Sequence, residues 1–354
     1  MAAVILPASL FILRASGDRL TSRIHTHLFL EITMTKLARP VTRDEVSAYR
    51  TAGVVLLKGV LDLAAVNALR RCIDDAVRTI GESPSGYDLS ALTRAIQTLD
   101  QATLENASSG QHDIAAIARH IKSTGKPFLQ DGATGKGSFI LDTGIAARLR
   151  DFRRLVVAGA MPEIAASLLQ SDEVRFFGDQ VFVKEPGTRE KTAFHQDATY
   201  FEIDGDQCCV LWVPVDPVTL ESGVMEYWRG SHRNGKLYQP NVFVSQAPLP
   251  GAEGEMLPDI EGRRDDFDIV HFDVEPGDVL VHHYKTVHGT GGNATRYQVR
   301  RAASIRYCGD DIRVTQRPWA PRQLHHTQQL EEGQSLSGPD FPVVWRRGAD
   351  ERAA

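Results

Sequence analysis

Cysteine is scarce in this chain, four residues in 354. None of them stands in a Cys-x-x-Cys pair, which argues against a zinc site built on thiolates. Cys208 and Cys209 are neighbours in an apparent strand, so they face opposite ways and do not bond to each other. With Cys72 and Cys308 they read as reduced packing residues, as in a cytoplasmic protein. A basic run is also missing and the formal net charge is −5, so nucleic acid is not expected as a partner. A phosphate-binding loop is lacking as well. The run Gly132-Ala133-Thr134-Gly135-Lys136-Gly137 has Gln130 where the first glycine belongs and Gly137 where a Ser or Thr should follow the lysine. The apolar stretch 2–13 is too short to span a bilayer, and no Lys or Arg precedes it. No membrane partner is expected.

What is present is an ordinary globular composition, 42% hydrophobic and 24% charged, in a chain long enough to bury a full core. Residues 1–33 read as a disordered or misannotated extension, with a cleaved export signal as the alternative; Met34 precedes the first clear pattern. The remainder, 34–354, is expected to form one domain: a helical part over 42–172, a barrel over 173–315 and a C-terminal tail over 316–354. Thr42-Arg43-Asp44-Glu45 is a helix start with a capping-box acid. Residues 54–60 predict a strand. In 62–80, Leu63, Val66, Leu69, Ile73, Val77 and Ile80 recur every three or four residues, which predicts a helix lying on a sheet and closed by Gly81. Residues 82–172 read as mainly helical, with loops near Gly86, Gly110 and Gly132.

After Ser171 the pattern changes to short strands at 174–177, 180–184, 199–203, 208–213, 224–228, 269–274, 279–283 and 300–307, many separated by Gly, Pro or Asp. Such spacing predicts a mainly β, jelly-roll barrel with the N-terminal helices packed outside. Residues 235–267 form a long loop, a length usually kept for lids or binding elements.

The candidate chemistry starts at Phe194-His195-Gln196-Asp197. A histidine and an aspartate two apart on a strand point to the same side. His288, in Val287-His288-Gly289-Thr290-Gly291, offers a second imidazole. Two imidazoles and one carboxylate suit Fe(II) while leaving coordination positions open. The glycines after His288 allow a close backbone approach, and Arg300 and Thr290 are placed to hold a carboxylate.

His195-Gln196-Asp197, Glu221-Ser222-Gly223, Gly230-Ser231-His232, Gly277-Asp278, His288-Gly289-Thr290-Gly291 and Arg300-Arg301-Ala302, in that order, resemble the phytanoyl-CoA dioxygenase family over roughly residues 45–315. The resemblance implies a double-stranded β-helix (cupin-like), Fe(II), 2-oxoglutarate and O2 as cosubstrates, and hydroxylation of an unactivated C–H bond of a small molecule. His195, Asp197 and His288 would be the iron ligands. Arg300 and Thr290 would hold the distal carboxylate of 2-oxoglutarate, with Gln196 and Trp212 lining that pocket and Lys184 beside it. Asp197 disfavours a halogenase, since related halogenases lack that carboxylate.

The His288 to Arg300 spacing is a residue longer than usual in such proteins, which leaves Arg301 and Arg296 as alternatives. Strand alternation groups Arg300 with Ala302, Ser304 and Arg306, and the small residues beside it favour Arg300 as a pocket residue. His283 is the rival imidazole and reads as structural, while His282 carries no signal. Trp212 also fits simple core packing, and Tyr200 and Phe201 fit either a substrate pocket or the barrel core. Arg306 reads as a contact for an anionic substrate or as a surface or ion-paired residue. Two other classes remain: a non-catalytic cupin-like protein that binds metal and 2-oxoglutarate, and a cupin lyase or isomerase. The latter usually presents His-x-His and needs no arginine anchor.

Overall fold

Both faces of Cys208–Pro214 are buried along its whole length. A strand with that pattern belongs inside a sheet covered on both sides. The computed structural model, which describes residues 36–91, 137–249, 251–321 and 323–348, places it there. In chain order the strands are β1 (Val54–Leu57), β2 (Tyr87–Asp88), β3 (Phe139–Thr143), β4 (Glu173–Lys184), β5 (Thr192–His195), β6 (Ile203–Asp204) and β7 (Cys208–Pro214). They continue with β8 (Met225–Trp228), β9 (Ile269–His271), β10 (Val279–His283), β11 (His288–Thr290), β12 (Arg300–Cys308), β13 (Arg313–Val314) and β14 (Val343–Arg346). The larger sheet runs β1-β10-β7-β12-β4-β3-β2, with β14 also pairing with β4, and the smaller runs β5-β11-β8-β9. Their neighbours pair antiparallel. Trp212, Leu280 and Ala302 of the larger sheet share an apolar cluster with Met225 and Tyr227 of the smaller, so the sheets pack face to face. This is the jelly roll that the strand pattern predicts.

The helices are α1 (Arg43–Ala52), α2 (Leu63–Arg78), α3 (Ile145–Arg148), α4 (Arg150–Ala158) and α5 (Met161–Leu169). Val66, Leu69 and Ile73 of α2 and Phe152 of α4 are fully buried, in one cluster with Leu211, Val281 and Ile305 from the outer face of the larger sheet. Each such side chain contributes about 1.5–3 kcal/mol of burial. The start of α1 is the expected capping box: Glu45 N donates to Thr42 Oγ1 at 3.2 Å and Thr42 N to the Glu45 carboxylate at 2.8 Å. Among the described residues no helix is long and apolar enough to cross a membrane.

Several boundaries differ from expectation. Residues 174–177 and 180–184 belong to one twelve-residue strand, β4. Residues 199–203 are not a strand: Asp197–Tyr200 is a 3₁₀ turn, and only Ile203–Asp204 pairs, with β13. Helix α2 ends at Arg78 with Thr79 as its cap, and Gly81 lies in the following 3₁₀ turn, so Gly81 does not close it. Leu63 is 66% exposed and is not part of the buried stripe. The region 82–172 is mainly helical where it is described, through α3, α4 and α5, but it also supplies β2 and β3, which extend the larger sheet. Strand β5 was missing from the sequence pattern, since all four of its residues are buried and nothing alternates. The extension 1–33, the loops near Gly110 and Gly132, and residues 132–136 of the glycine run lie outside the described residues.

Candidate metal centre and its cavities

His195 is the last residue of β5 and His288 the first of β11, and the two are direct partners across the pair. That register needs a close approach of the strands: a Cβ on Gly289 would sit 2.9 Å from Thr192 O, so glycine follows the ligand for a steric reason. Pairing ends at His195, but Gln196 keeps extended backbone, φ −107° and ψ 136°, so Asp197 turns to the side of His195 as strand alternation predicts and then opens a 3₁₀ turn.

One donor atom from each of His195, Asp197 and His288 lies within 4.8 Å of the others, and all three residues are buried. His195 Nδ1 donates to Ala193 O at 2.8 Å and His288 Nδ1 to Thr286 O at 2.9 Å. Carbonyls only accept, so these bonds fix both tautomers and leave each Nε2 lone pair for a ligand. Burial, followed by the charges of His195 and His282, holds the His288 pKa well below the ordinary histidine value, in the neutral form that binds metal. Burial would push the Asp197 carboxyl up, but the His195 and His282 imidazoles, 3.6 and 3.7 Å from its oxygens, outweigh it and hold its pKa well below the usual carboxylate value. These buried donors of suitable kind, with preset tautomers and an open side, fit a ferrous ion.

His282 is the neighbour that sequence reasoning missed. Its Nε2 lies 3.7 Å from Asp197 Oδ2 and its ring centroid 4.4 Å from that of His288. His283, on the opposite face of β10, behaves as expected of a structural residue: its Nε2 bonds Asp206 O at 2.8 Å and its Nδ1 accepts from Lys285 N.

Two cavities meet at the triad, with His195 and Asp197 lining both. The inner one, about 420 Å³, reaches Trp212, Thr290 and Arg300. Arg300 is 2% exposed, lies 5.6 Å from the Trp212 ring, and forms no ion pair among the described residues. Burial lowers its pKa to about 10. Lys184, its partner across the β12–β4 pair, is fully buried; its Nζ donates to Thr290 Oγ1 at 2.7 Å and Gly291 O at 2.6 Å. Burial, and then the Arg300 charge, hold the Lys184 pKa well below its usual range. Two adjacent buried cations without a carboxylate make a receptor for an anion. Arg301 points the other way, where its guanidinium grips Asp216 at 2.7 and 3.0 Å and Asp74 at 2.8 Å. It is already paired.

Gln196 does not line the pocket. Its amide donates to Lys236 O and Lys285 O at 3.2 and 2.8 Å and accepts from Tyr238 N at 2.9 Å, and it borders neither cavity. Side chains alternate on leaving β5, so the residue between two inward ligands faces away.

The outer cleft, about 850 Å³, takes wall residues from the loop 235–267, among them Asn241, Phe243 and Leu249. Asn241 ties that loop to the centre: its Nδ2 donates to Phe194 O at 2.8 Å, and Tyr200 OH donates to its carbonyl at 2.9 Å. Phe243, with φ 69°, is in a conformation costly for an aromatic residue, and it stacks on Phe182 and lies 5.3 Å from the His195 ring. No sequence signal marked either residue. Tyr200 and Phe201 both line this cleft.

The family model described as phytanoyl-CoA dioxygenase matches residues 49–302. This chain belongs to the phytanoyl-CoA dioxygenase family. Its curated relatives include a probable phytanoyl-CoA dioxygenase of Caenorhabditis elegans, 30% identical over 33% of this chain and 36% of the relative. Another is the peroxisomal phytanoyl-CoA dioxygenase of Rattus norvegicus, 23% identical over 55% of this chain and 59% of the relative. The match thus spans between about a third and three-fifths of those proteins. Among solved structures, the non-heme alpha ketoglutarate dependent carbocyclase SnoK from nogalamycin biosynthesis superposes with TM-score 0.60 at 20% identity, over 88% of this chain and 99% of that one. EctD from S. alaskensis, solved with 2-oxoglutarate and 5-hydroxyectoine, gives 0.53 at 16% identity, over 87% and 95%. These similarities establish the family fold.

Proposed function

We propose that this family member is an Fe(II)/2-oxoglutarate-dependent dioxygenase that hydroxylates an unactivated C–H bond of a small molecule and converts 2-oxoglutarate to succinate and CO2. The observation that carries this reading is one cavity lined by a buried His-Asp-His cluster and by Arg300, a buried guanidinium with no ion pair among the described residues, with Lys184 buried behind it. His195 and His288 would hold the iron through Nε2, and Asp197 through a carboxylate oxygen. Bound iron supplies the activation of O2, chemistry beyond the reach of amino-acid side chains.

The chain's own groups do the rest. Arg300 takes the distal carboxylate of 2-oxoglutarate in a two-pronged grip, and Thr290 adds its hydroxyl. Lys184 orients that hydroxyl through its own hydrogen bond and contributes a second positive charge. Trp212 covers the guanidinium and keeps water from this end, where the low dielectric strengthens each polar contact. Gln196 serves as a positioning residue: it pins the start of the Asp197 turn to the backbone at Lys236, Tyr238 and Lys285. The names of the relatives and of the structural neighbours support the same class.

An anaerobic titration of iron and 2-oxoglutarate, followed by a substrate-library screen for succinate formation, tests the reading. The expected outcome is iron-dependent succinate release that His195→Ala abolishes; turnover at the wild-type rate in that variant removes His195 from the ligand set. Tight binding of both ligands with no turnover on any compound makes the protein a binder instead.

A further inference from the structure

At the other end of the inward face of β12, six residues beyond Arg300, stands Arg306. The offset corresponds to about 20 Å at about 3.3 Å per residue. Arg306 is 5% exposed and borders both cavities. Its Nη2 donates to Gln180 Oε1, its guanidinium lies 4.9 Å from the centre of the Phe201 ring, and its Nε is buried without any partner. No carboxylate among the described residues forms an ion pair with it, which excludes the surface and ion-paired readings of this residue.

The acids near Arg306 are otherwise committed. Asp179 sits opposite Ile305, on the other face of the sheet, and its carboxylate accepts Ile145 N at 2.6 Å and Ala146 N at 3.1 Å at the start of α3. Asp197 belongs to the triad. A desolvated guanidinium with one neutral acceptor and one aromatic neighbour is incompletely compensated, and such groups are kept where a ligand completes them. Gly178, opposite Arg306 on β4, adds no side chain to the space. Around it the walls of the outer cleft are mixed, with Tyr87, Leu141, Phe243, Leu249 and Leu324 beside Ser85, Thr143, Asn241 and Gln323.

We propose that Arg306 anchors an oxyanion on the substrate, so that the molecule oxidised is an acid, bound in the outer cleft with a carboxylate or phosphate held by Arg306. This rests on the dioxygenase reading, which makes the outer cleft the substrate side of the metal. Gln180 orients the guanidinium through Nη2, and Nε has no hydrogen-bond partner of its own. The two buried arginines of β12 then sort two acids, the cosubstrate at Arg300 and the substrate at Arg306. The metal centre lies where their cavities join.

The test is calorimetric titration of octanoate, octyl phosphate and neutral octanamide into the full-length protein, held anaerobically with Fe(II) and saturating 2-oxoglutarate. The wild type is expected to bind at least one of the two acids ten to a hundred times more tightly than the amide. Preference for octanoate assigns a carboxylate, and preference for octyl phosphate a phosphate. Arg306→Gln should erase the preference, Arg306→Lys should keep part of it, and Arg301→Gln, at a residue that faces away from both cavities, should retain it. Equal binding of acid and amide by the wild type overturns the proposal, as does a preference that survives in Arg306→Gln. If Arg306→Gln does not fold, the wild-type comparison still decides. Failure of 2-oxoglutarate itself to bind the wild type would sink the dioxygenase reading separately, and the acid-against-amide result would still decide Arg306.

Discussion

The two faces of the larger sheet obey different rules. Its outer face, under the helices, is mainly apolar: Cys209, Leu211, Val281, Ala303, Ile305 and Tyr307 pack there with α2, α4 and α5, and its charged residues Asp179 and Arg301 have backbone N–H or carboxylate partners. Its inner face is buried as deeply but carries Lys184, Arg300 and Arg306, none with a carboxylate partner among the described residues, beside Gln180 and Ser304. Burying unpaired charge opposes folding. The outer face therefore stabilises the fold, and the inner face spends part of that stability on a prepared receptor. Adjacent arginines make the contrast plain, because Arg300 faces the cavity alone while Arg301 faces out onto Asp216.

Substitutions on the two faces should separate accordingly. The largest effect belongs to the triad: Asp197→Ala should lower iron-dependent succinate formation by three orders of magnitude or more, with a far-UV spectrum like that of the wild type. Arg300→Ala comes next. Removing one partner of a buried charged contact costs about 3–5 kcal/mol, which corresponds to a rise of about two to four orders of magnitude in the 2-oxoglutarate requirement. An unchanged requirement would transfer the anchor to another residue. On the outer face, Leu69→Ala should lower stability by about 2–5 kcal/mol in denaturant melts and leave 2-oxoglutarate affinity at the wild-type level. A matching loss of affinity would mean that the faces are coupled. Arg301→Ala breaks partly exposed ion pairs and should cost about 0–1 kcal/mol, with no change in the cosubstrate requirement. Thr42→Ala, far from either face, should cost about 1 kcal/mol through the lost cap.

Much of the outer face was legible in the sequence, because its logic is local. The stripe Val66, Leu69 and Ile73 and the capping box at Thr42 follow from helical period and hydrogen-bond chemistry, and both are present. The stripe failed only at its end, where Leu63 has no sheet to cover. The site was legible through residue type and order: His195, Asp197 and His288 do converge. The pocket role of Gln196 came from the family resemblance, and strand alternation turns its side chain instead onto the backbone of Lys236, Tyr238 and Lys285. His282, Asn241 and Phe243 were missed because no periodicity distinguishes them from ordinary strand or loop residues.

Sequence alone determined the class of architecture, the helix starts and the identity of the three metal donors, since each depends on side-chain chemistry read over a few positions. Tertiary structure decided which arginine stands unpaired in the cavity, which face of the Asp197 turn is presented, and that loop 235–267 walls the cleft. Those outcomes depend on register between strands far apart in the chain, such as His288 opposite His195 and Arg300 opposite Lys184. A shift of one residue in either pairing would turn the same side chains to the other face.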